Sequence, residues 1–254
     1  MAFDIHATPS RVPARLDHRP VKKRIALVAL ATDHTSERDF ARICDPDRVG
    51  VYVNRIAFEN PTTRETLLKT GPRLTEAAAQ ILPEEAVDVV AYGCTAASIV
   101  LGNDAVARSL NTAKPGAPCV TPSSAAFDAF AALGAGRVSL LTPYSPAVTD
   151  EMAQYFAAHG PAVVSAACFG LTDDRQMARI SEDSIIEAGI AACDSSADAL
   201  FLSCTALRAA VCIERIEDHL GKPVVSSNQA MVWRCLRLAG ITDPVPGYGR
   251  LFEL

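Results

Sequence analysis

Val87-Asp-Val-Val-Ala-Tyr-Gly-Cys94-Thr95-Ala96 and Ala197-Asp-Ala-Leu-Phe-Leu-Ser-Cys204-Thr205-Ala206 follow one order: an acidic residue, an apolar run, a small residue, then Cys-Thr-Ala. Runs this short and apolar, with turn-forming residues at their ends, read as buried strands of a parallel sheet. The second copy lies in the other half of the chain, so the sequence reads as two versions of one α/β unit. A thiol at the carboxyl end of a strand in each half suits a pseudo-symmetric protein with its site in the crevice between the halves.

Working outward, the same alternation of β-branched runs with amphipathic ones continues on both sides. Eight strands are expected, at 25–30, 49–55, 87–92, 119–121, 138–141, 162–168, 199–202 and 224–226. Ser145-Pro146 opens a helix that carries Val148, Met152, Tyr155 and Phe156 on one face and stops at Gly160. A second helix follows Asn103 and Asp104. After Cys204, the residues Leu207, Ala210, Val211, Ile213, Ile216 and Leu220 recur at helical spacing up to Gly221. The expected architecture is α/β: two lobes, each a four-stranded parallel sheet flanked by helices, with the active site in the inter-lobe cleft. The first lobe is expected to comprise 25–122 and, on the chain's return, 231–254; the second comprises 123–230. Residues 1–24 hold three prolines and no periodicity, and read as a flexible arm or as a strap that orders on a partner subunit.

Composition narrows the function classes. Twenty-four Lys and Arg against 29 Asp and Glu give a formal charge of -5, which offers no general attraction for a phosphate backbone, so nucleic acid is excluded as the expected partner. No stretch approaches the roughly 20 apolar residues of a membrane span, and the amino terminus lacks a signal-like apolar region. The expectation is a cytoplasmic, homo-oligomeric protein acting on a small molecule. The eight cysteines contain no CxxC pair, which speaks for reduced thiols rather than a disulfide or zinc framework.

A cysteine where a strand gives way to a helix lies near unpaired backbone N–H groups and the positive end of the helix dipole. Both favour thiolate, so Cys94 and Cys204 are expected to fall below the usual thiol pKa of roughly 8.5. Thr95 and Thr205 would add hydroxyl and N–H donors for a substrate carboxylate or an enolate. One such cysteine alone reads more readily as a small buried hydrophobe. Its repetition in the same context favours chemistry, with one thiol to remove a proton and one to return it. The other six cysteines read as structural.

Gly93-Cys94-Thr95, Ser203-Cys204-Thr205, the Leu141-Thr142-Pro143-Tyr144 strand end and the stretch 173–179 together resemble the aspartate/glutamate racemase superfamily. The likeness is to its branch of maleate cis-trans isomerases, arylmalonate decarboxylases and ectoine-utilisation racemase-like proteins, and it covers nearly all of the chain after residue 24. The resemblance implies a cofactor-independent and metal-free enzyme with one catalytic thiol from each lobe. Cys94 would add to a double bond as thiolate, or exchange protons with Cys204 across one carbon. Tyr144 matches a tyrosine that hydrogen-bonds the substrate carboxylate. Arylmalonate decarboxylases have glycine at the first thiol position, so Cys94 argues against plain decarboxylation.

The departures matter too. Asp33 and Asp174 align with asparagines that hold carboxylate oxygens in maleate isomerases. A carboxylate there would repel a dicarboxylic acid unless it is protonated or turned away. The run Ala31-Thr-Asp-His-Thr-Ser-Glu37 is most similar to the ectoine-utilisation group, whose substrates are cyclic or acylated diamino acids. Asp33, His34 and Asp174 would then select the substrate, although residues 33–36 equally suit the cap of a helix beginning near Glu37. No histidine follows Cys204, leaving thiol activation to helix ends and N–H groups.

Overall fold

The computed structural model describes residues 6–254. Residues 1–5 of the expected arm lie outside the described residues. From residue 6 to residue 22 the chain has no helix or strand, and most of it is exposed.

Two sheets are built from eight parallel strands: β1 (Lys23–Leu30), β2 (Val49–Ile56), β3 (Val89–Gly93), β4 (Cys119–Val120), β5 (Arg137–Thr142), β6 (Ala162–Cys168), β7 (Ala199–Leu202) and β8 (Val224–Ser226). Their orders are β2-β1-β3-β4 and β6-β5-β7-β8, one topology used twice. β1, β3 and β7 are buried along nearly their whole length, which is why they read as continuous apolar runs.

In the first half the helices are α1 (Ser36–Ile43), α2 (Arg64–Leu68), α3 (Leu74–Ala79), α4 (Thr95–Leu101), α5 (Asn103–Ala113) and α6 (Pro122–Leu133). In the second they are α7 (Pro146–His159), α8 (Asp174–Met177), α9 (Glu182–Ala192), α10 (Ile213–Leu220) and α11 (Ser227–Leu238). Capping boxes fix the starts of α6 (Thr121 with Ser124) and α11 (Ser226 with Gln229), and the glycines expected to end α7 and α10 do so. α11 leaves the second sheet at β8 and packs on α6, α1 and β3, so both halves share one continuous apolar core. No described helix is long and apolar enough to cross a membrane.

The helix expected from Leu207 to Leu220 is shorter than its pattern. The chain turns through Thr205–Leu207, makes a 3-10 turn at Ala210–Cys212 and becomes α-helical only at Ile213. Leu207, Ala209 and Ala210 are buried all the same. Their periodicity reports which side chains face the core, a demand that an irregular loop meets as well as a helix does.

Candidate active site

In each sheet the first strand has neighbours reached by connections of opposite direction, β2 and β3 beside β1, and β6 and β7 beside β5. The crevice at such a switch point, outside the carboxyl ends of the strands, is where doubly wound sheets place their ligands. The loops after β1, β3, β5 and β7 carry Asp33, Cys94, Tyr144 and Cys204 respectively, and Asp174 opens α8, the first helix after β6.

The structure brings the two cysteines together. Both are free thiols, 5% and 3% exposed, and a charge on Cys204 is felt at Cys94. Cys94 is the N-cap of α4, and its sulfur accepts the Ala97 N–H at 3.4 Å. Cys204 caps no helix. Its sulfur accepts the Ala206 N–H at 3.3 Å within the turn and the hydroxyl of Tyr144, and its backbone sits at φ 157°, a conformation sparsely populated by residues with a Cβ.

The expected lowering of both thiol pKa values is corrected here. Burial pushes the Cys94 thiol well above its ordinary value and that of Cys204 up to about 12, and the nearby Asp174 carboxylate adds to both rises. The N–H groups act in the expected sense at each sulfur, as does the Tyr144 hydroxyl at Cys204, but loss of water outweighs them. In this closed arrangement the pair rests as neutral thiols.

The remaining sequence-named residues differ in where they point. Tyr144 is buried, its phenol held far above its ordinary pKa by burial and the two sulfurs. Asp33 is turned toward its own helix: Oδ1 accepts the N–H groups of Thr35 (2.7 Å) and Ser36 (2.8 Å), and Oδ2 accepts the Ser36 hydroxyl (2.6 Å). That is the capping role. Burial nonetheless raises its pKa, and its charge reaches Cys94 and Asp174. Asp174 is buried, accepts the Thr32 hydroxyl at 2.7 Å, and is raised to about 6, mainly by desolvation. His34 is exposed and close enough to Asp174 to favour its charged form. The two threonine hydroxyls point between the halves: Thr95 Oγ1 donates to Ser227 Oγ (2.9 Å) and Thr205 Oγ1 to the Gly93 carbonyl (3.2 Å).

Sequence reasoning missed several neighbours. Tyr92 hydrogen-bonds Cys94 and donates to Thr70 Oγ1 at 3.0 Å; its position two residues before Cys94 puts it on the same strand face, a signal available in the sequence. Asn60 accepts the Asp174 N–H at 3.0 Å from a loop of the other half. Asn228, in the first turn of α11, donates to Asp39 (2.8 Å) and to the Thr205 carbonyl (2.9 Å), and Thr35 Oγ1 donates to the Ala206 carbonyl at 2.9 Å. These long-range partners leave no local pattern. Among the described residues, no three His, Cys, Asp or Glu side chains are grouped to hold a metal ion.

Two α/β halves of one strand topology, with free thiols at matched strand ends, define a class of protein, and the comparisons place the chain within it. Residues 71–252 match the arylmalonate decarboxylase family, and the chain belongs to that family. It is 36% identical over 141 residues to arylmalonate decarboxylase of Bordetella bronchiseptica, covering 54% of this chain and 59% of that protein. It is 28% identical to maleate isomerase of Geobacillus stearothermophilus, over 75% of this chain and 79% of the relative. The crystal structure of the maleate isomerase Iso from Pseudomonas putida S16 has the same fold, with a TM-score of 0.83 at 24% identity over 91% of this chain and 98% of that one.

Proposed function

We propose that this chain is a cofactor-independent isomerase of a small carboxylic acid, with Cys94 and Cys204 acting on a carbon centre held between them. The observation that carries the reading is the convergence of two free thiols from equivalent strand ends, each with an N–H donor aimed at its sulfur. Their high resting pKa sets the order of events. Opening of the lobes hydrates a sulfur and allows a thiolate, which the N–H donors and, at Cys204, the Tyr144 hydroxyl then stabilise. Closure over substrate removes water that would quench a carbanion without stereochemical control. In cis-trans isomerisation the Cys94 thiolate adds to one alkene carbon and the Cys204 S–H protonates its neighbour; rotation about the new single bond and reversal of both steps release the isomer. In racemisation one thiolate removes the α-proton and the opposite thiol returns one. The N–H groups of Thr95 and Thr205 hold the carboxylate, and Asp174 with His34 selects what lies at its far end.

Asp174 separates two finer readings. As a carboxylate it favours a substrate bearing an amine or hydroxyl, such as the cyclic or acylated diamino acids of the ectoine-utilisation proteins. Protonated, as burial allows below about pH 6, it permits maleate, and Asp33 raises no objection to that reading because its oxygens are spent on α1. Incubation with maleate and with acylated diamino acids in deuterated water, followed by NMR, divides them. Fumarate formation selects isomerisation, deuterium at a stereocentre selects racemisation, and binding without either marks a non-catalytic binder and ends the proposal.

A further inference from the structure

The two Cys-Thr units are clasped to one another, and the clasp is not symmetric. From the second half, the Thr205 hydroxyl reaches the carbonyl of Gly93, the residue before Cys94, directly. From the first half, the Thr95 hydroxyl does not reach the Cys204 loop itself. It donates to Ser227 Oγ at 2.9 Å, and the same oxygen accepts the Cys204 N–H at 3.0 Å. Ser227 is fully buried at the first position of α11, the helix that leaves the second sheet and packs against the first. Its neighbour Asn228 holds the Thr205 carbonyl, the next backbone group of that loop.

We infer that Ser227 is a positioning residue for Cys204: its hydroxyl oxygen joins the Thr95 side chain to the Cys204 backbone and so fixes the second sulfur relative to the first. This role rests on the proposed function, in which Cys204 is a reacting group. Three observations support it. Cys204 has no helix to anchor it, whereas Cys94 is the N-cap of α4. Its φ of 157° is a conformation that a residue with a Cβ keeps only when its surroundings hold it there. Ser227 receives donors from both halves at one oxygen, and every group involved is buried, so losing that acceptor strands two donors out of reach of water. The sulfur of Cys204 then wanders while that of Cys94 stays on its helix.

The test uses the full chain and iodoacetamide, with alkylation of Cys94 and Cys204 resolved by peptide mass spectrometry over roughly pH 7 to 10, the range spanning an ordinary thiol pKa. Ser227→Ala is expected to change the pH profile of Cys204 alkylation while that of Cys94 stays as in the wild type. Ser227→Thr, which keeps the acceptor, restores the Cys204 profile. Thr95→Val, read in the same way, moves Cys204 in the same direction as Ser227→Ala and adds little to it in the double variant; it also carries the test should Ser227→Ala fail to fold. On whichever acid the wild type converts, Ser227→Ala is expected to lower kcat by about tenfold or more with KM little changed, the sign of a misplaced reacting group. Equal acceleration at both cysteines, tracking a fall in melting temperature, overturns the inference in favour of general loosening, and an unchanged Cys204 profile overturns it outright. If the wild type converts none of the acids, the proposed function fails while the alkylation profiles still decide the role of Ser227.

Discussion

Cys94 and Cys204 end equivalent strands and are followed by the same Thr-Ala, yet the chain leaves them differently. After Cys94 the helix begins at once, so the sulfur caps α4 and takes one of its free N–H groups. After Cys204 the chain turns through Thr205–Leu207, and the sulfur relies on a turn N–H and the Tyr144 hydroxyl. Equal residues in equal topological positions have thus been given unequal anchors: one is held by its own secondary structure, the other by partners brought from elsewhere in the fold. A thiol anchored by its own helix tolerates loss of distant partners, and one held by tertiary contacts does not.

The sharpest way to break that comparison is to remove each sulfur in turn. Cys94→Ser and Cys204→Ser are each expected to lower turnover on the order of 10²–10⁴-fold, as loss of a positioned acid or base does. Survival of full activity in either variant would mean that the two regions do not share one reaction. Next in size is Tyr144→Phe, which strips a donor from Cys204 alone. A hydrogen bond to a charged group contributes about 1.5–3 kcal/mol, so about a tenfold or greater loss of turnover is expected, with the Cys204 thiol titrating still higher and Cys94 little affected. Thiol titration by alkylation against pH checks both halves of that statement.

Asp33→Ala tests whether that carboxylate serves substrate or helix. It leaves two N–H groups and a hydroxyl at the start of α1 without their acceptor, so a loss of about 1–2 kcal/mol in urea unfolding is expected, in the range for a lost cap. A variant of unchanged stability whose KM alone rises would return Asp33 to the substrate. A last test concerns Asp39, which accepts a hydrogen bond from Asn228 and whose pKa is raised to about 7 by burial although that bond works against the rise. A carboxyl that binds its proton more tightly folded than unfolded contributes stability that is full below about pH 4 and is lost as pH rises through about 7. Asp39→Asn should flatten the pH dependence of melting temperature across that window, and an unchanged slope would place the titration elsewhere.

Much of the fold was legible because burial leaves a period in the sequence. β7 and β8 fall where their apolar runs were read, and α7 ends at its glycine. The same signal misplaced the start of α10, because Leu207, Ala209 and Ala210 are buried in a loop. For the site, the repeat singled out Cys94 and Cys204, and the strand end singled out Tyr144. Thiol acidity was misjudged because nearby N–H donors can be inferred from position in the chain, whereas desolvation depends on everything that packs around a sulfur. Ser227, Asn228 and Asn60 stayed hidden for a related reason: each meets its partner across a sequence distance that carries no period.

The sequence by itself determined two copies of a parallel α/β unit and the presence of a thiol at the same point of each, since strand burial and helix starts are written in neighbouring residues. Only the tertiary structure decided that the two thiols are buried near one another, that burial raises rather than lowers their pKa values, that Asp33 faces its own helix, and that the second cysteine is held through a serine on α11. Those outcomes depend on distance in space, which the chain fixes only once both halves have packed around a single core.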